Sequence, residues 1–119
     1  MIVDAKLAQF GKNFERNMAK EKFALFLLWM ISKKEQHGYE IIKTIQDDPI
    51  MPNFPASKIY PILKVLSKKA LVSQKKVMHG KRIRKVYYIT AKGRDMLKKA
   101  KAHIRKSHLM MAYVEDMCR

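Results

Sequence analysis

The sequence is short of acid. Ten Asp and Glu stand against 26 Lys and Arg, leaving a formal charge of +16 and a pI near 10.1. So few carboxylates cannot neutralise the cations, so the chain either tolerates its own repulsion or meets a polyanion, nucleic acid first and anionic membrane second. Cysteine is almost missing: Cys118 stands alone, which excludes an intrachain disulfide and suits a reducing cytoplasm. Long apolar runs are missing too. The longest, Phe23 to Ile31, has nine residues, where a membrane span needs about twenty. The N-terminal Met-Ile-Val-Asp has no basic stretch leading into an apolar one, so no secretory signal is expected. Catalytic patterns are equally lacking: there are no paired carboxylates, no glycine-rich phosphate loop and no Ser-His-Asp set. His103 and His108 are five residues apart, the wrong spacing for two ligands on one helix face, so neither metal nor cofactor is expected. With no repeat or low-complexity linker, 119 residues fit one domain, residues 1–119, of a protein that is not an enzyme.

What the chain does contain is helical periodicity followed by a switch to strand periodicity. In residues 1–19, Val3, Leu7, Phe10 and Phe14 form a helical stripe weakened by Gly11. Residues 20 to 34 surround the apolar run and predict a central core helix, with Trp29 packed inside it. Gly38 breaks the pattern. Tyr39, Ile42, Lys43 and Gln46 then recur at helical spacing, with Ile41 and Ile45 beside them, which predicts a helix over 39–47. Pro49, Pro52 and Pro55 make the next segment a loop. In the 56–70 helix that follows, Ile59, Ile62, Leu63 and Leu66 form one apolar stripe. Steps of about 100° put Ser57, Pro61, Lys64 and Lys68 opposite, with Tyr60 at the flank. Pro61 is expected to loosen the first turns. Such a helix fits a DNA major groove, or is an ordinary amphipathic helix with a solvated lysine face.

After Leu71 the period becomes two, and a hairpin is predicted over 72–90 around His79-Gly80-Lys81-Arg82. Lys75, Lys76, His79, Lys81, Arg82, Arg84 and Lys85 crowd its tip and shoulders, an arrangement that calls for phosphate nearby. Thr90 caps a last helix over 91–119, where Leu97, Ala100, Ile104, Ser107, Met111, Val114 and Cys118 follow heptad spacing. That seam predicts a dimerisation helix, with Leu97, Ile104, Met111 and Val114 meeting a partner and Val3, Leu7, Phe10 and Phe14 joining in. Lys92, Arg94, Lys98 and Lys99 at its start are either a second phosphate row or solvent-facing charge.

Two helices, a loop, a lysine-faced helix and a basic hairpin are the order of a winged helix-turn-helix, flanked here by dimerisation helices. The expected fold is therefore mainly α with a small β-hairpin: an N-terminal helix over 1–19, the winged unit over 20–90 and the last helix over 91–119. The partners expected are double-stranded DNA and a second copy of the chain, not a membrane.

The residues also resemble the PadR-like transcriptional regulators. The resemblance runs through most of residues 23–97, on His37-Gly38-Tyr39-Glu40-Ile41, Lys58-Ile59-Tyr60-Pro61-Ile62-Leu63, Ala70-Leu71-Val72 and Tyr87-Tyr88-Ile89-Thr90-Ala91-Lys92-Gly93-Arg94. His-Gly-Tyr-Glu and the Tyr-Pro pair are its specific pieces, whereas Thr-x-x-Gly is shared by many winged-helix proteins. Ser57-Lys58 stand where the family often has Gly-Thr. The family's larger C-terminal helical region is absent, as in its short subfamily. The resemblance implies a dimeric repressor or sensor in which Ser57, Lys58, Tyr60 and Lys64 meet DNA; Tyr60 could equally lie half-buried beside the core. His37 and Tyr39 are expected to hold a helix junction. The other reading of the charge is an architectural, nucleoid-type DNA protein with little sequence choice. An effector would fit beside Phe10, Phe14, Met110 and Met111, where the same residues also suit plain packing.

Overall fold

A computed structural model gives the fold, and the structure describes residues 20–119. Val3, Leu7, Phe10 and Phe14 lie outside the described residues. Helix α1 occupies 20–33 of the described chain. It is followed by α2 (Gly38–Gln46), a 3₁₀ turn (Ala56–Lys58), α3 (Ile59–Lys68), strands β1 (Val72–His79) and β2 (Arg82–Ile89), and helices α4 (Ala91–Arg105) and α5 (His108–Met117). The apolar stripes meet in one core: Leu27, Leu28, Met30 and Ile31 from α1, Ile41 and Ile45 from α2, Ile59, Leu63 and Leu66 from α3, then Leu71, Val72 and Ile89. This is the winged helix-turn-helix that the order of elements predicts.

The core expectation fails for Trp29, which is 48% exposed. At about 100° per residue, Leu27, Leu28, Met30 and Ile31 take one side of α1 and Trp29 falls opposite. There its ring stacks on Phe26 with centroids 5.9 Å apart and lies beneath the Lys33 ammonium at 5.4 Å.

The 56–70 helix is two pieces. Ala56–Lys58 winds as 3₁₀, and the α-helix begins at Ile59. Pro61 is thus the third α-helical residue, in the first turn, where its missing N–H has no intrahelical partner to lose. It sits near the boundary between the two windings. The end of α3 is equally defined. Ala70 takes φ 60°, Leu71 N–H donates to Leu66 O at 3.0 Å, and Ala70 N–H donates to Ser67 O at 3.0 Å. This is a Schellman ending with alanine where glycine is favoured.

The hairpin turns at Gly80-Lys81, with His79 paired to Arg82 and Gly80 at φ 65°. Glycine at the first central position is the II′ requirement. At the hairpin's base, Thr90 Oγ1 accepts from Gly93 N–H at 3.0 Å, and its own proton reaches Ala70 O at 2.6 Å or Leu71 O at 3.0 Å. A Cβ on Gly93 would stand 2.1 Å from Leu71 O and 2.7 Å from Ile89 Cγ1. The Thr-x-x-Gly pattern therefore locks α4 onto the junction of α3 and β1.

One predicted element divides. The helix expected over 91–119 stops at Arg105, and α5 restarts at His108. Ser107, a seam position in the heptad reading, has φ −87° and ψ 97°, and its hydroxyl accepts from Met110 N–H at 3.1 Å. The serine caps a new helix instead of packing in an old one. Leu97 packs against its own core, while Ile104, Met111 and Val114 are exposed.

Two substitutions test these backbone devices by urea denaturation. Ala70→Gly relieves the left-handed residue and raises stability by about 1 kcal/mol. Gly93→Ala forces α4 off Leu71 and lowers stability by about 1–3 kcal/mol.

Candidate nucleic-acid interface

The buried stripe of α3 determines what its other side offers. With Ile59, Leu63 and Leu66 inward, Ser57, Lys58, Tyr60, Lys64 and Lys68 are all exposed, as is Val65, which the sequence reading passed over. Val65 is thus an exposed apolar side chain beside the lysines, and its period in the sequence gave no warning of it. Tyr60 combines both of its predicted fates. The residue is 49% exposed, yet its ring packs on Gly38, where a Cβ would stand 3.1 Å from Cε1 and 3.7 Å from the hydroxyl oxygen. Gly38 is the first residue of α2, one place before the predicted start at Tyr39, and its lack of a side chain leaves room for the Tyr60 ring.

The wing is fastened to the junction between α1 and α2. Gln36, 4% exposed, exchanges backbone hydrogen bonds with Tyr87, donating at 3.1 Å and accepting at 2.8 Å, while its side-chain Nε2 donates to Met30 O at 2.8 Å. His37 caps α2. Its backbone N–H donates to the Glu40 carboxylate at 3.0 Å, and its Nδ1 stands 3.0 Å from Lys85 O, a contact that requires the proton on Nδ1. The His37 and Tyr39 rings stack at 5.3 Å. Arg84 Nη1 donates to the Tyr39 hydroxyl at 2.7 Å, with the guanidinium 5.5 Å from the ring centroid. His37 and Tyr39 thus hold a helix junction, as expected, and also hold the wing. Gln36 was the residue sequence reasoning missed: a polar residue in a turn carries no mark of burial.

These contacts sort the predicted wing residues. Lys75 is tied to Glu35 at 2.7 Å and lies 5.8 Å from the Tyr88 ring, and Arg84 is tied to Tyr39. Lys76, Lys81, Arg82 and Lys85 form no ion pair among the described residues, and His79 is exposed at the tip. Lys76 and Lys85 face each other directly across the hairpin. Between the wing and the starts of α2 and α3 lies an open groove of about 490 Å³, bordered by His37, Gly38 and Tyr39, by Tyr60, and by Arg82, Arg84, Lys85 and Tyr87 of the wing. Burial raises the Tyr87 phenol above its ordinary pKa, and the neighbouring Tyr60 adds to the effect. On α4, Lys92 donates to Lys69 O at 2.8 Å, capping the end of α3, and Lys99 pairs with Asp95 at 2.9 Å. Those two lysines have internal work, which leaves Arg94 and Lys98 of the row without ion pairs among the described residues. No group of three His, Cys, Asp or Glu side chains able to hold a metal occurs among the described residues. No helix among them is long and apolar enough to cross a membrane.

A buried-backed helix with an exposed lysine face, beside a basic wing, defines a winged helix-turn-helix DNA-binding protein. The sequence model of the PadR-like family of transcriptional regulators matches residues 27–99, more than half of the chain. The chain belongs to that family, whose members are DNA-binding regulators and not enzymes. Solved structures agree on the fold. A PadR-like transcription factor from Bacteroides fragilis superposes with a TM-score of 0.72 at 20% identity, over 86% of this chain and 98% of that one. A PadR-like transcriptional regulator from Bacillus cereus gives 0.67 at 24% identity, over 87% and 97%. Bacillus subtilis PadR, solved in complex with operator DNA, gives 0.54 at 25% identity, over 65% of this chain and 45% of that one. No curated protein matches the sequence.

The wing's attachment is checked with His37→Ala, which removes the bond to Lys85 and the stack on Tyr39. Stability should fall by about 1 kcal/mol; an unchanged urea midpoint would mean that the wing is held elsewhere.

Proposed function

We propose that the protein is a homodimeric, sequence-specific transcriptional repressor that lays α3 in the major groove and its wing on the phosphate backbone or in the minor groove. Ser57, Lys58, Tyr60, Lys64 and Lys68 face the bases and adjoining phosphates; Lys76, His79, Lys81, Arg82 and Lys85 serve the wing, with Lys75 and Arg84 at its shoulder. The observation that carries this reading is the Lys76–Lys85 pair. Like charges directly opposite on a hairpin oppose folding, and no carboxylate occurs anywhere in residues 72–89 to relieve them. A polyanion supplies what the fold withholds. The dimer reading draws on α5, where Leu109, Met110, Met111, Tyr113, Val114 and Met117 are exposed, with Ile104 of α4 alongside. A two-fold dimer would read half-sites about one helical turn, ~34 Å, apart. The single Cys118 fits work in a reducing cytoplasm.

Lysine is a point charge without the fork of arginine, so affinity should depend steeply on salt, with specificity drawn largely from dimer spacing. The architectural alternative makes a different prediction for the same titration. With the protein's own upstream DNA as probe, recorded at two salt concentrations with the mass in solution, random DNA should compete about 10³-fold less well than the probe. A monomer displaced equally by any DNA would sink the repressor reading. Lys85→Gln should reduce the slope of log affinity against log salt by about 1 without destabilising the fold.

A further inference from the structure

The wing ends in an apolar pair that nothing among the described residues covers. Met78 and Ile83 are direct cross-strand partners, 66% and 62% exposed. Alternate residues of a strand share a face, so this pair lies on the same side of the hairpin as Lys76–Lys85, Gln74–Tyr87 and Val72–Ile89. That side is oriented at two points. Val72 and Ile89 enter the core at its base, and Tyr87 reaches Gly38 beside Tyr60 at its middle. From base to tip it therefore presents a core pair, a tyrosine in the groove shared with α3, a lysine pair, and finally methionine and isoleucine. Beyond them come the His79–Arg82 pair, on the other side of the hairpin, and Gly80 and Lys81 of the turn.

Charge decides what can cover this pair. Lys76, Lys85, Lys81 and Arg82 surround it, and residues 72–89 contain no acid. The matching surface must be anionic at its edges and apolar between them. A DNA minor groove is such a surface, with phosphate walls enclosing sugars and base edges, and the pair is continuous with the side of the wing that faces α3. We propose that Met78 and Ile83 form an apolar wedge that enters the minor groove beside the major-groove site. There the pair packs on sugars and levers at a base step, while the flanking cations hold the phosphates of both walls. This inference rests on the reading of the wing as a DNA contact and deepens it. The wing reads shape and deformability, not base identity, and favours flexible pyrimidine–purine steps.

The wedge separates from the charges in a salt titration, because apolar contact releases no counterions. The experiment uses the full chain and its own upstream duplex, carrying 2-aminopurine at pyrimidine–purine steps. Met78→Ser with Ile83→Ser should weaken binding about tenfold, leave the salt slope unchanged and abolish the fluorescence rise that reports unstacking. Met78→Leu with Ile83→Val should restore both. Melting curves check that the serine variant is folded. On the unaltered protein, prior occupation of the duplex by a minor-groove polyamide should lower affinity, a readout that needs no variant. Equal binding by the serine variant with an unchanged fluorescence rise overturns the wedge. So does a loss confined to phosphatidylglycerol vesicles, which would make the tip a membrane contact. If the unaltered chain binds no duplex at all, the DNA-binding reading fails with it, and the two failures are told apart by that first titration.

Discussion

The candidate interface depends on the attachment of the wing to the turn between α1 and α2. A two-stranded hairpin alone is marginally stable in water, and this one carries Lys76 opposite Lys85. Gln36 offsets that weakness. Its backbone extends the pairing of β2 through Tyr87, and its buried amide ties the same turn to the end of α1 at Met30. His37 adds the bond to Lys85 O, and Arg84 the bond to Tyr39. Because His37 also caps α2, and the Tyr60 ring of α3 packs beside Gly38, the wing and α3 are positioned by the same few residues. A surface made of two separate elements needs that kind of common anchor.

A chain with a formal +16 charge has more cations than any interface uses, and the structure divides them by task. Lys75, Lys92 and Lys99 have partners within the fold, in Glu35, Lys69 O and Asp95. The two exposed ion pairs among these, Lys75–Glu35 and Lys99–Asp95, contribute little to stability. Lys64, Lys68, Lys76, Lys81, Arg82 and Lys85 keep no ion pair among the described residues. They are available to phosphate at no cost in broken bonds.

Periodicity made the α3 core legible in the sequence, because Ile59, Leu63 and Leu66 recur at helical spacing, whereas in α2 the core takes Ile41 and Ile45 and leaves Tyr39 of the expected repeat exposed. The hairpin was legible through its change of period and Gly80. Residues whose fate depends on competition were not. Ser107 fitted a heptad seam by position, but its hydroxyl found a helix N-terminus to cap. Trp29 belonged to an apolar run, yet the run is longer than the face the core can cover. Pro61 looked intrusive only because the 3₁₀ turn before it cannot be read from apolar spacing. Among the site residues, exposure of the α3 lysines followed from the stripe. The diversion of Lys75 and Arg84 to Glu35 and Tyr39 needed contacts between residues at least forty positions apart.

The central claim is that α3 and the wing form one DNA-facing surface. Hydrogen exchange of the full chain with and without upstream duplex tests it most directly. The account predicts that residues 56–60 at the start of α3 and 76–85 of the wing gain protection together, at the same DNA concentration, while the exposed side of α1 around Trp29 does not. Protection of only one of the two elements, or protection centred on α1, would contradict it.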